Sequence, residues 1–120
     1  MIEEYKFGSI TIDGKTYTKD VEVRWDDEVL DWWRQESHVI DVADIGRALL
    51  QEPEVIVVGT GEDGMAEVTD RAREAAELQG VKLIVDKTPE AVKTFNVRKE
   101  DSIEEEGEEE RIIGLFHLTC

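Results

Sequence analysis

The reactive side chains of this chain gather at its carboxyl end, where His117, Thr119 and the single cysteine, Cys120, follow one another closely, while the only other histidine, His38, stands far upstream. Cysteine beside histidine suggests a thiolate nucleophile, but that chemistry needs the imidazole aimed at sulfur and usually a third group to orient it. Two residues this close on one extended strand cannot easily provide it. If the chain ends at Cys120, its carboxylate also places a like charge beside the sulfur and opposes a second anion there. On an extended 112–119 segment, His117 and Thr119 share a face with Ile113 and Leu115, and Ile112, Gly114, Phe116 and Leu118 take the other. A histidine in apolar company is expected to be a hydrogen-bonded core residue. A metal would require His38, His117, Cys120 and a carboxylate to converge, and no two of them have zinc-ligand spacing. No catalytic residue and no metal ligand is assigned.

A second motif, GTGEDG over residues 59–64, fits the G-x-G-x-x-G pattern of dinucleotide-binding turns. It follows a β-branched run, precedes an alanine-rich stripe, and Asp86 lies where a ribose-binding acid belongs. Gly59, Gly61, Gly64 and Asp86 are therefore the candidate cofactor contacts. Against this, Glu62 and Asp63 put negative charge where a pyrophosphate needs bare N–H groups and positive potential. A tight structural turn is the favoured reading, and no cofactor is expected.

The third cluster is aromatic. Trp25, Trp32, Trp33 and Arg34 lie close in sequence, and if Leu30 and Trp32 face the core then Trp33 points the other way. An exposed tryptophan beside arginine has the composition of an interface hot spot. Packing of all three tryptophans between layers is the favoured alternative. Trp33, Arg34, His38, His117, Thr119 and Cys120 make up the candidate interaction or pocket residues.

The elements that position these residues follow from pattern. Tyr5 to Ile12 is rich in β formers, with an apolar phase shift across Gly8 that suggests a bulge, and Asp13-Gly14 is a type I′ hairpin signal. Val21, Val23 and Trp25 alternate with Glu22 and Arg24 before a turn at Asp26-Asp27, so two linked hairpins are expected. Asp41 caps a helix with Val42, Ile45 and Leu49 on one face. Val55 to Val58 and Val81 to Val85 are continuous apolar strands, joined through the glycine turn and a helix carrying Met65, Val68, Ala72, Ala75 and Ala76, which makes a βαβ unit. Thr88 and Pro89 open a third helix as N-cap and first-turn proline. The last strand, Ile112 onward, reads as docked in the core.

Length and charge narrow the function. The 120 residues are expected to form one α/β domain, 1–120, of three layers: a mixed central sheet with the βαβ unit, helices packed on it, and an N-terminal antiparallel β layer. A net charge of -16 repels nucleic acid and anionic membranes, so neither is an expected partner. Eight of the residues 100–110 are acidic, half of that excess, and read as a solvated loop. One cysteine, no signal-like start and no apolar stretch of about 20 residues point to a cytoplasmic protein with no membrane span.

FGSITIDGKTY (7–17), DWWR (31–34) with His38, PEVIVVGTG (53–61), KTPEAVKTFN (87–96) and GLFHLTC (114–120) together resemble a known family. It comprises small uncharacterised archaeal and bacterial proteins related to the mammalian adipogenesis-associated domain protein and to the mitochondrial respiratory complex I assembly factor of the same fold. The resemblance implies the three-layer fold and no established reaction. It departs between Arg34 and His38, where the segment is short, and at the acidic run, where relatives carry a brief basic turn. The expected function is a non-catalytic binding or assembly module with a protein partner, monomeric or homo-oligomeric. The alternative is a small ligand- or nucleotide-binding protein, or an enzyme, using the Gly59–Gly64 turn and the cleft at the strand carboxyl ends.

Overall fold

Two tight turns build the first layer. β1 (Ile2–Lys6), β2 (Ser9–Ile12) and β3 (Lys15–Tyr17) form an antiparallel sheet in chain order. Asp13 and Gly14 take φ of +48° and +82°, the positive values that a type I′ turn demands at both central positions. Gly8 is not a bulge. It sits at φ +84° in a turn that sets Lys6 opposite Ser9, so the apolar phase changes because the chain reverses, and the irregularity in register falls earlier, between Ile2 and Glu4. The computed structural model describes residues 1–106 and 110–120, with side chains described for all of these except 103–106.

The central layer is a five-stranded mixed sheet of β4 (Val21–Arg24), β5 (Val29–Asp31), β7 (Val55–Thr60), β9 (Lys82–Asp86) and β10 (Ile112–His117), in the order β5-β4-β10-β7-β9. β10, β7 and β9 run parallel, and β4 lies antiparallel to β10. Every residue of β7 and β10 is buried, which is why both read as unbroken apolar runs. On one face Ile56, Val58, Ile113 and Leu115 meet α1 (Val42–Leu49), α2 (Asp70–Leu78) and Trp32. On the other, Val55, Val57, Ile112, Phe116 and Leu118 meet α3 (Thr88–Glu106) and the first layer. The expected alternation along the last strand therefore holds. Gly114 is required there, since a Cβ would fall 2.4 Å from the Phe116 ring, which stands edge-on to Phe95.

α1 begins where expected, with Asp41 accepting from the Val42 N–H and Asp44 reaching back to the Asp41 N–H. The bond from the Val42 N–H and a second from the Thr69 hydroxyl hold the Asp41 carboxyl below its ordinary value. Thr69 in turn caps α2. α2 starts later than the sequence suggests: residues 65–69 are extended, β8 (Glu67–Val68) pairs in parallel with β6 (Val39–Ile40), and Met65 is exposed. Thr88 does not cap α3 with its side chain; the hydroxyl is used in the site described below. The acidic run is also corrected. α3 continues to Glu106, so the first part of 100–110 is helix rather than loop; 107–109 lie outside the described residues. Glu110 pairs with Arg98 through two bonds of 3.1 and 3.0 Å.

One buried charge organises the edge of the sheet. Glu22, on β4, is 1% exposed and accepts from Arg24 Nε at 2.8 Å and from Arg47 Nε at 3.0 Å. Arg47 then reaches past it to the Asp31 carbonyl at 2.6 Å, tying α1 to the outward side of β5.

Candidate functional site

The candidate residues converge at the carboxyl end of β10, around an acid that no motif or spacing singles out. Asp20, just before β4, accepts from the Leu118 N–H at 2.8 Å and from Arg34 Nη1 at 2.6 Å, and its Oδ2 lies 2.8 Å from His117 Nδ1. Arg34 Nη2 also lies 3.0 Å from that Nδ1, but a carboxylate only accepts, so the shorter contact to Asp20 puts the His117 proton on Nδ1 and Arg34 Nη2 donates instead to the Ser37 carbonyl at 3.0 Å. Burial alone would raise the Asp20 carboxyl. The bonds from His117, Leu118 and Arg34 outweigh burial and hold it below its ordinary value. Arg34 is fixed a third time, its guanidinium carbon 4.6 Å from the centre of the Trp32 ring. Trp32 is held by its own N–H to the Asp44 carbonyl at 2.9 Å.

His117 is buried, as its apolar neighbours predict, and its Nε2 has no partner among the described residues. His38 is exposed. Its ring stands edge-on to His117 at 6.3 Å, and its Nε2 lies 4.0 Å from Cys120 Sγ. Asp20 orients His117 and not His38, and among the described residues no hydrogen bond orients the His38 ring that faces the sulfur, as thiol activation requires. The arrangement is a buried hydrogen-bond hub with a partly exposed thiol at its rim.

The glycine turn is closed from within. Gly61 sits at φ +106°, and a Cβ there would fall 2.6 Å from the Cys120 carbonyl oxygen. The Glu62 N–H donates to the Thr119 carbonyl at 2.7 Å, the Met65 N–H to the Cys120 carbonyl at 3.1 Å, and the Gly64 N–H to the Gly61 carbonyl at 3.2 Å. Thr88 Oγ1 takes the Gly61 N–H at 2.9 Å and donates to the His117 carbonyl at 2.6 Å. The space over Gly59 is filled by the same Thr88, 2.8 Å from where a Cβ would be. The amides that would cradle a pyrophosphate are thus spent on residues 119 and 120, and the turn leads into extended chain, not directly into a helix. The turn is built as a structural one: Gly61 lies against residues 119 and 120, Gly64 closes on Gly61, and Gly59 lies against Thr88. Asp86, at the end of β9, receives the Lys87 N–H on Oδ1 at 2.9 Å and the Thr60 hydroxyl on its carbonyl at 3.0 Å. It lines a cleft of about 450 Å3 whose charged residues, Glu67, Asp70, Asp86, Arg73 and Lys87, include both signs.

The tryptophans do not all pack between layers. Trp32 is buried and Trp25 bridges both cores, whereas Trp33 is 76% exposed. It borders a groove of about 410 Å3 lined also by Lys19, Asp20, Asp31, Trp32 and Arg34. The structure thus brings together Arg34, His38, His117 and Cys120, with Trp33 on the rim of the adjoining groove. Thr119 joins through its carbonyl alone. Sequence reasoning missed Asp20 and Tyr5, whose hydroxyl donates to the Leu118 carbonyl at 3.2 Å. Burial, and next the adjacent Glu62 carboxylate, push the Tyr5 phenol up. Both partners meet the end of the chain across nearly its whole length, and no local spacing encodes such pairs.

Solved structures share this arrangement of elements. A conserved hypothetical protein from Pyrococcus horikoshii OT3 is 27% identical, matched over 100% of this chain and 99% of that one with a TM-score of 0.81. The protein MT938 is also 27% identical, over 100% and 98% of the two chains, with a TM-score of 0.77. An Mth938-like domain from Bordetella pertussis, 20% identical over 98% and 84%, shares the fold at a TM-score of 0.63. The family model described as a protein of unknown function, DUF498/DUF598, matches residues 2–105. On that match, which takes in α1, α2, nearly all of α3 and every strand before β10, the chain belongs to the DUF498/DUF598 family.

Proposed function

We propose that this protein is a non-catalytic binding or assembly module that docks a protein partner against the Trp33 groove, in the manner of the complex I assembly factor that its motifs resemble. The observation that carries the reading is Trp33: a large aromatic side chain held in solvent at the rim of a groove whose Trp32 and Arg34 walls are hydrogen-bonded in place. Arg34 is held by Asp20, Ser37 and the Trp32 ring, and Trp32 by Asp44, so a partner would meet a largely preorganised surface. The hub beneath supports the reading in a second way, because it spends Asp20, Arg34 and His117 on positioning one another and the end of the chain. No helix among the described residues is long and apolar enough to cross a membrane. The cytosol, where a lone thiol stays reduced, is the compartment in which we expect the partner.

Affinity capture from the cytosol of the source organism, run in parallel with the parent protein and Trp33→Ala, tests the proposal. Truncating a hot-spot tryptophan costs about 2 kcal/mol or more, so the variant should retain less than about a tenth of the captured partner. Its melting temperature should match the parent, since Trp33 contributes little to the core. Equal capture by both proteins would contradict the reading.

A further inference from the structure

The two edges of the central sheet are treated differently. β5 is short, and its outward Asp31 carbonyl is covered by Arg47. β9, at the other edge, is the five-residue strand Lys82-Leu83-Ile84-Val85-Asp86. Its pairing with β7 starts with the Lys82 N–H bonding the Glu54 carbonyl, so the even-numbered residues bond inward. The N–H and C=O groups of Leu83 and Val85 therefore point away from the sheet, and among the described residues nothing bonds them. Leu83, Ile84 and Val85 are each only partly buried. An open edge of this kind is a strand waiting for a partner unless something blunts it.

We infer that this edge pairs antiparallel with β9 of a second copy of the chain, extending the sheet across a two-fold axis at Ile84. The sequence of the strand is self-complementary in that register. Lys82 falls opposite Asp86 of the other copy, at both ends, and Ile84 falls opposite itself. Leu83 falls opposite Val85, and because both are outward residues each such pair exchanges two main-chain hydrogen bonds. Lys82 and Asp86 then occupy the closer, non-hydrogen-bonded positions, where opposite charges gain most and like charges repel most. Any one-residue slip breaks both matches together. A heterologous strand has no such symmetry to satisfy, which is why the occupant is a second copy. The pairing stands at the opposite edge of the sheet from Trp33, so both grooves of the dimer remain open to partners.

Sedimentation equilibrium on the full chain at up to about 500 μM tests this. The parent should sediment at twice the chain mass. Lys82→Asp and Asp86→Lys each convert two attractive pairs into two repulsive ones, and each should weaken self-association about tenfold or more. The double variant Lys82→Asp/Asp86→Lys restores opposite charges and should return to within about threefold of the parent. Both residues are exposed, and matching melting temperatures at a dilution where all four proteins are monomeric show that folding is not the cause. A monomeric parent, a dimer indifferent to the single swaps, or a double variant as weak as the singles would each overturn the inference.

Discussion

Removing Leu118–Cys120 is expected to lower the urea midpoint by about 2 M or more. Leu118 is 1% exposed, and burying a leucine side chain is worth about 1.5–3 kcal/mol. Its carbonyl accepts from the Gly8 N–H at 2.8 Å as well as from Tyr5, and its N–H satisfies Asp20. The deletion therefore also strips Asp20, Gly8, Glu62 and Met65 of partners, at about 1 kcal/mol for each bond lost. The sum, about 4 kcal/mol or more, is a large part of the 5–15 kcal/mol typical of a domain. With a urea slope of about 1–2 kcal/mol/M for a chain of this size, that loss becomes the stated shift. An unchanged midpoint would show the last residues to be a free tail.

Asp20→Ala should cost about 3 kcal/mol or more, because it leaves the buried Arg34 without its carboxylate while Leu118 and His117 lose an acceptor. The effect carries a pH signature. The folded-state carboxyl titrates below its unfolded value of about 3.9, so its contribution is complete above about pH 5 and is lost as pH falls through the lowered folded value. The stability gap between parent and Asp20→Asn should then be constant from about pH 5 to 8 and close progressively below about pH 4. Chemical denaturation across that range measures it. A gap that widens toward acid would contradict the assignment of Asp20 as an ionised acceptor.

The fold was legible where one physical cause acts alone. Continuous apolar runs announced β7 and β10, the Asp13-Gly14 pair announced its turn, and Asp41 announced α1. Readings failed where two structures share one pattern. Gly8 marked a break in phase that a bulge and a turn both produce. Met65 and Val68 sat at helical spacing from Ala72 yet belong to extended chain. Thr88 looked like a cap, but its hydroxyl is drawn to the Gly61 N–H and the His117 carbonyl, groups that only the folded sheet brings near. The candidate site divides the same way. Arg34, His38, His117 and Cys120 stood out by residue type, and the structure gathers them. Asp20 did not, because its importance comes from contacts with Arg34 and Leu118 that form only when the chain end docks.

Residues 119 and 120 take the Glu62 and Met65 amides of the glycine turn, and we propose that this leaves a binding module rather than a nucleotide site. The most direct measurement follows the backbone amide resonances of Gly61, Glu62, Gly64 and Met65 while NAD, ATP or inorganic phosphate is titrated to millimolar concentration. Amides already bonded to Thr88, Thr119, Gly61 and Cys120 should not move. Saturable shifts at these residues on addition of any of the three would show the turn to be a ligand site.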